Sequence, residues 1–235
     1  MATYNIIGDI HGRNSWKQLV DESCINVFVG DYFDPYDYLS FDDLGNNYLD
    51  IIAYKKAHPE NVVLLYGNHD YEYLPNINEQ SNRYDEDNAQ HITWLLEKYA
   101  NLFYGVAYPI GEDYIVSHAG ITRHWKEKYL SEIDDISPNK MAEAINDLWR
   151  TDKDAFGFVA NAEPFDYYGE SVGHSPIWVR PNSLCMDNLY KDSRVKQIVG
   201  HTQMVDIVEI EGIVIVDCLG SVAKSLKIIA SGTDF

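Results

Sequence analysis

Short apolar runs rich in Ile, Val and Tyr recur at residues 4–7, 27–29, 62–66, 114–116 and 197–199, and each reads as a strand. Segments with helical spacing, residues 16–23, 42–57, 87–100 and 140–149, lie between or after the early runs. Strand alternating with helix predicts an α/β fold for the first half. The last third is different. Runs at 205–210, 212–217 and 223–229 are separated by short turns at Glu211-Gly212 and Gly220, which predicts an antiparallel meander and a second sheet. Residues 151–192, with several Pro, Gly, Asn and aromatic positions, are expected to form ordered loops capping the scaffold. The sequence carries no internal repeat and no low-complexity tract, and all 235 residues read as a single domain.

Most of the strand-like runs end in a turn that sets His, Asp or Asn beside Gly. In order these are Gly8-Asp9-Ile10-His11-Gly12, Gly30-Asp31-Tyr32-Phe33-Asp34, Gly67-Asn68-His69-Asp70, Ser117-His118-Ala119-Gly120 and Gly200-His201-Thr202. Ligands of α/β sheets bind beyond the carboxyl ends of the strands, so side chains from several such turns can meet without being near in sequence. Carboxylate, imidazole and amide oxygen are donors suited to Mn, Fe or Zn, and the glycines permit tight turns and close backbone approach. Any one of these turns is a common loop dipeptide. Five in consistent order after strands point to a metal site rather than to solvated loops.

The formal charge of −19 argues against duplex nucleic acid as a partner, because that affinity depends on Lys and Arg neutralising phosphates. It leaves phosphate chemistry open, since bound divalent cations reverse the local potential. No apolar run approaches the roughly 18 to 20 residues of a membrane span. The N-terminus carries no basic leader before its first strand, and Cys24, Cys185 and Cys218 lack metal-type spacing. A cytoplasmic location, with the cysteines in packing roles, is the expectation.

The five turns resemble the signature of the calcineurin-like metallophosphoesterases, in particular the phosphoprotein phosphatase branch and its bacterial and phage-type members, from Asp9 to about Asp217. That resemblance implies a mixed two-sheet α/β sandwich flanked by helices, with two divalent metal ions, Mn foremost and Fe, Zn or Ni as alternatives. It implies that Asp9 and His11 bind the first ion, that Asp31 bridges both, and that Asn68, His118 and His201 complete the second. Two ions about 3.5 to 4 Å apart activate water and clamp phosphoryl oxygens in an in-line displacement. His69 would be the general acid, oriented by Asp34, and Asn68 would also contact phosphate.

One position departs from the pattern. The family usually has Arg directly after the second Asp of the second motif, where this chain has Pro35. The run Ser175-Pro176-Ile177-Trp178-Val179-Arg180-Pro181 resembles a later segment that supplies a phosphate-binding arginine, making Arg180 the candidate clamp and Arg150 its competitor. The implied substrate is a phosphorylated protein or peptide of the serine/threonine type. A diadenosine polyphosphate or related nucleotide stays open beside it, and a non-catalytic interaction module would be expected to have lost some of these ligands.

Other features read more plainly. The aromatic stretch 32–41 either walls a substrate pocket or packs under a loop. Asp85-Glu86-Asp87 reads as the capping and dipole feature of the following helix. His58, His91, His124 and His174 are expected to be structural or surface residues, with His174 near enough to Arg180 in sequence to approach substrate.

Overall fold

The computed structural model of the chain describes residues 1–158 and 170–230. Two sheets form the centre. In the first, the order is β3 (Val62–Leu64), β2 (Ile25–Phe28), β1 (Ala2–Ile7) and β9 (Leu226–Ala230). β1, β2 and β3 run parallel, and β9 pairs antiparallel with β1. The second sheet has the order β4 (Ala107–Ile110), β5 (Tyr114–Ser117), β6 (Lys196–Val199), β8 (Ile213–Ile215) and β7 (Val208–Ile210).

Strand periodicity explains the layers, because successive side chains point to opposite faces. Tyr4, Ile6, Val27, Val29 and Val63 meet Tyr108, Ile110, Val116, Ile198 and Val214 in the core between the sheets. The alternate residues Ile7, Phe28 and Leu64 face outward, where Tyr48, Ile51 and Ile52 of α1 (Phe41–Ala57) cover them. Ser40 starts α1, its hydroxyl accepting the Asp43 backbone N–H at 3.2 Å. A second helix, α2 (Ala89–Tyr99), adds Ile92, Leu95 and Leu96 to the same outer core. On the second sheet, Ala107 and Ile115 pack with Met141, Ala142 and Ile145 of α3 (Pro138–Thr151), one apolar stripe at helical spacing.

Asn146 joins α3 to the sheet edge. Its Oδ1 accepts the backbone N–H groups of Val106 at 2.8 Å and Ala107 at 3.1 Å, and its Nδ2 donates to the Ala107 carbonyl at 2.8 Å. Truncation would leave three buried backbone groups unpaired, each costing about 1–3 kcal/mol. Asn146→Ala is therefore expected to lower unfolding free energy by at least about 2 kcal/mol in denaturant melts. A midpoint matching the parent chain would remove this residue from the account of the fold.

Several expected elements are altered. The helix expected over 16–23 shrinks to a 3-10 turn at Asn14–Gln18. Two side chains compete for its backbone: Asn5 Nδ2 donates to the Leu19 carbonyl at 2.9 Å, and the Asp21 carboxylate accepts from Ser23 N at 2.9 Å and Ser23 Oγ at 2.6 Å. The expected meander is divided between sheets. β7 and β8 form a hairpin across Glu211 (φ 49°) and Gly212 (φ 78°), while β9 leaves for the free edge of β1. β4 does not stand out in the pattern because it contains Pro109, which an edge strand tolerates.

Asp85-Glu86-Asp87 does not cap α2: the N-cap is Asn88, and the Asp85 carboxylate takes the Asn88 backbone N–H at 3.1 Å and Nδ2 at 2.8 Å. Of the capping segment 151–192, residues 159–169 lie outside the described residues; the remainder includes a 3-10 turn at Lys153–Phe156 and a helix at Pro181–Asp187 rather than loops alone. Among the described residues, no helix is long and apolar enough to cross a membrane.

Candidate metal centre

The turns after β1, β2, β3, β5 and β6 converge at the carboxyl ends of the strands. The first two are joined by backbone bonds, His11 N to Asp31 O at 2.6 Å and Gly12 N to Tyr32 O at 3.1 Å. Asp9, His11, Asp31, Asp34, Asn68, His69, His118 and His201 all lie there, and none is more than 8% exposed. Burying so many polar groups is costly unless they bind one another or a cation.

Asp31 occupies the middle. Its Oδ2 is 3.4 Å from His11 Nε2 and 3.4 Å from His118 Nε2. On the other side, Asn68 Oδ1 is 2.9 Å from His118 Nε2 and 2.8 Å from His201 Nδ1. His11 Nδ1 donates to the Phe33 carbonyl at 2.9 Å and His118 Nδ1 to the Val29 carbonyl at 3.0 Å, so each presents Nε2 inward. Asp9, Asp31 and His118 offer ligand atoms close enough to share one ion.

The electrostatics fit a cationic occupant. Burial, then Asp217, holds Asp9 well above the usual carboxylate range, and burial raises Asp217 to about 6. Burial opposes charge on His118, yet Asp31 and Asp9 push its imidazole up to about 10. Burial brings His11 down to about 3, leaving its inward nitrogen unprotonated. Clustered carboxylates, neutral imidazole and an amide oxygen form a donor set suited to divalent ions, and these residues fit two of them.

Backbone strain is concentrated at this place. His11, Asp31, Asp34 and His201 have φ of 43°, 55°, 55° and 65°, a region that non-glycine residues seldom occupy. Two glycines are needed for close approach. A Cβ on Gly67 would overlap Asp31 Oδ1 and come within 2.8 Å of His118 Cε1, and one on Gly200 would overlap Asp9 Oδ1. Gly200→Ala is expected to weaken metal retention about 10-fold or more while the chain stays folded, measured by elemental analysis after dialysis. Unchanged metal content would show that Asp9 has room to move and is not fixed as a ligand.

Beside the centre, His69 Nδ1 lies 2.7 Å from Asp34 Oδ2, and the Tyr73 hydroxyl donates to Asp34 Oδ1. Burial opposes charge on His69, but Asp31 and Asp34 raise its pKa above the ordinary value. Asp34, His69 and Glu72 form a second group close enough to hold an ion; Glu72 Oε2 accepts from Ser81 Oγ at 2.9 Å. The two arginine candidates are separated. Arg180 lines the pocket beside His201, with Nη1 donating to the His201 carbonyl at 3.2 Å and Thr202 Oγ1 at 3.3 Å. Arg150 pairs with Asp147 and lines a different cavity near Trp149. His174 is buried and stacks on Phe158, 4.5 Å between ring centroids, and does not line the pocket.

Two residues at the centre, Asp217 and Arg83, escape the sequence pattern, and Asp70, inside the third turn, has a role the pattern does not show. Asp217 follows β8 with no neighbouring glycine to mark it. Asp70 accepts backbone N–H bonds from Asp31, Tyr32 and Gly67 at 2.8, 2.9 and 2.8 Å, locking the second turn to the third. Arg83 lines the same pocket as Arg180, with Nη2 2.8 Å from His69 Nε2. It is the one cation in residues 70–88, amid six acids, and that isolation is the available signal. The aromatic stretch is split between both expected uses: Tyr32 and Phe33 are core, while Tyr36 and Tyr38 are exposed beside the pocket.

The family model for calcineurin-like phosphoesterases matches residues 3–204. A cold-active protein-tyrosine phosphatase from the psychrophile Shewanella sp. shares the fold at TM-score 0.53 and 17% identity, over 97% of this chain and 75% of that one. A Saccharomyces cerevisiae protein serine/threonine phosphatase with similarity to human phosphatase PP5 matches at TM-score 0.51 and 17% identity, over 92% of this chain and 66% of that one.

Proposed function

We propose that this chain, which belongs to the calcineurin-like phosphoesterase family, is a phosphoprotein phosphatase of the serine/threonine type that uses two divalent ions, manganese foremost. The observation that carries the reading is the Asp31 carboxylate set 3.4 Å from an inward imidazole on either side, a bridging position. Asp9 and His11 would hold one ion with it, and Asn68, His118 and His201 would hold the other. When bound, the ions lower the pKa of an attacking water and neutralise charge that builds on the phosphoryl oxygens.

The chain's own residues supply orientation and a proton. Asp34 accepts from His69 Nδ1 and fixes the ring, so that Nε2 faces the pocket and gives its proton to the leaving oxygen. Arg180 and the Asn68 amide orient the phosphoryl oxygens. The pocket, about 240 Å³, is lined by His11, Asp31, Asn68 and His201 among these ligands, and by Tyr36 and Trp178.

A nucleotide substrate has one observation in its favour. Pro35, Tyr36, Tyr38 and Leu39 line a second pocket of about 190 Å³ beside His11, and it shares Tyr36 with the first. An adenine ring could stack there. The test is chelator-stripped protein with Mn²⁺ restored, given phosphoserine peptide, phosphotyrosine peptide and diadenosine tetraphosphate side by side. Preference for the phosphoserine peptide supports the reading. Preference for either other substrate moves the substrate class, and turnover of none overturns the assignment.

A further inference from the structure

The six arginines of this chain fall into two groups. Arg123, Arg150 and Arg194 lie outside the metal pocket, and each is ion-paired, with Asp192, Asp147 and Asp113. Arg13, Arg83 and Arg180 stand at the pocket and its rim. Among the described residues, no carboxylate lies within ion-pair distance of any of these three. Acids outnumber bases 37 to 18 in this sequence, so cations gathered at one place with no ion pair among the described residues need a reason. Arg13 acts on Asp217 from beyond ion-pair distance, and Arg83 and Arg180 lack even that.

Arg83 shows the reason most directly. It is half-buried, its Nη1 donates to the Asp34 carbonyl at 2.7 Å, and its guanidinium lies 3.8 Å above the Tyr36 ring. Its Nη2 rests 2.8 Å from His69 Nε2. The carbonyl and the aromatic face hold the planar group in place without neutralising its charge, and donors remain for an anion. Nor can the His69 contact persist during turnover, because a guanidinium and a leaving oxygen cannot share one ring nitrogen.

We infer that Arg83 is a phosphoryl-binding residue, exchanging its contact with His69 Nε2 for a phosphoryl oxygen when substrate enters. The inference rests on the phosphoesterase reading. Charge that Pro35 does not supply at the second turn then comes from the loop between Tyr71 and Ala89, with Arg180 on the same pocket. Arrival of the phosphoryl group also frees Nε2, which takes up a proton from solvent and then gives it to the leaving oxygen.

Inorganic phosphate, the product of any phosphomonoester, is the probe, titrated calorimetrically into the metal-loaded chain. Arg83→Ala is expected to weaken phosphate binding about 10- to 100-fold. Arg83→Lys should recover part of it as a point charge without the planar fork. Arg123→Ala removes an equal charge from the surface and should change nothing, and metal content should stay constant throughout. Equal phosphate affinity for the parent chain and Arg83→Ala overturns this inference alone, as does an equal loss in Arg123→Ala or loss of metal from Arg83→Ala. No phosphate binding by the metal-loaded parent chain overturns the phosphoesterase reading as well.

Discussion

Asp31→Asn is expected to lose bound metal and turnover together. The asparagine side chain has one oxygen and no charge, so it cannot serve ions on both sides from the position now 3.4 Å from His11 and His118. Lost stabilisation of transition-state charge of about 4 kcal/mol corresponds to a rate loss on the order of 10³-fold. The fold should survive, because the backbone N–H at this position, which donates to the Asp70 carboxylate at 2.8 Å, is untouched by the substitution. Elemental analysis and assay on the same preparation check this. Full metal occupancy in the Asp31→Asn chain would contradict the bridging role.

His69→Ala should behave in the opposite way toward metal. Its ring is held by Asp34 rather than placed between the ligands, so both ions stay bound while the proton donor is lost. General acid catalysis contributes about 10²- to 10⁴-fold, and that loss should appear with alkyl phosphoesters, whose leaving oxygen needs a proton. p-Nitrophenyl phosphate, with a good leaving group, should lose much less. Equal losses on both substrates would count against a general acid and leave His69 a positional role.

The centre is more legible in the sequence than parts of the scaffold, and the reason is local. A ligand turn after a strand announces itself by glycine beside His, Asp or Asn, since the positive φ and the close contacts at Gly67 and Gly200 are written in residue type. Asp217 and Arg83 carry no such mark: one follows a strand without a neighbouring glycine, and the other lines the pocket from a loop brought in by tertiary packing. The same limit applies to β9, whose alternating Leu226, Lys227, Ile228 and Ile229 fit a strand in either sheet. The edge of β1 that β2 leaves free decides its partner, and that edge is set by tertiary pairing rather than by the residues of β9. The short 3-10 turn at Asn14–Gln18 likewise depends on Asn5, a residue on another element.

The most direct test of the account is a titration of the chelator-stripped chain with Mn²⁺, following bound metal and phosphoester hydrolysis together. The stripped protein is expected to be inactive, and the rate to reach its maximum at two ions per chain. Hydrolysis that persists undiminished in excess chelator, or a rate complete at one ion, would contradict a dinuclear centre built on Asp31.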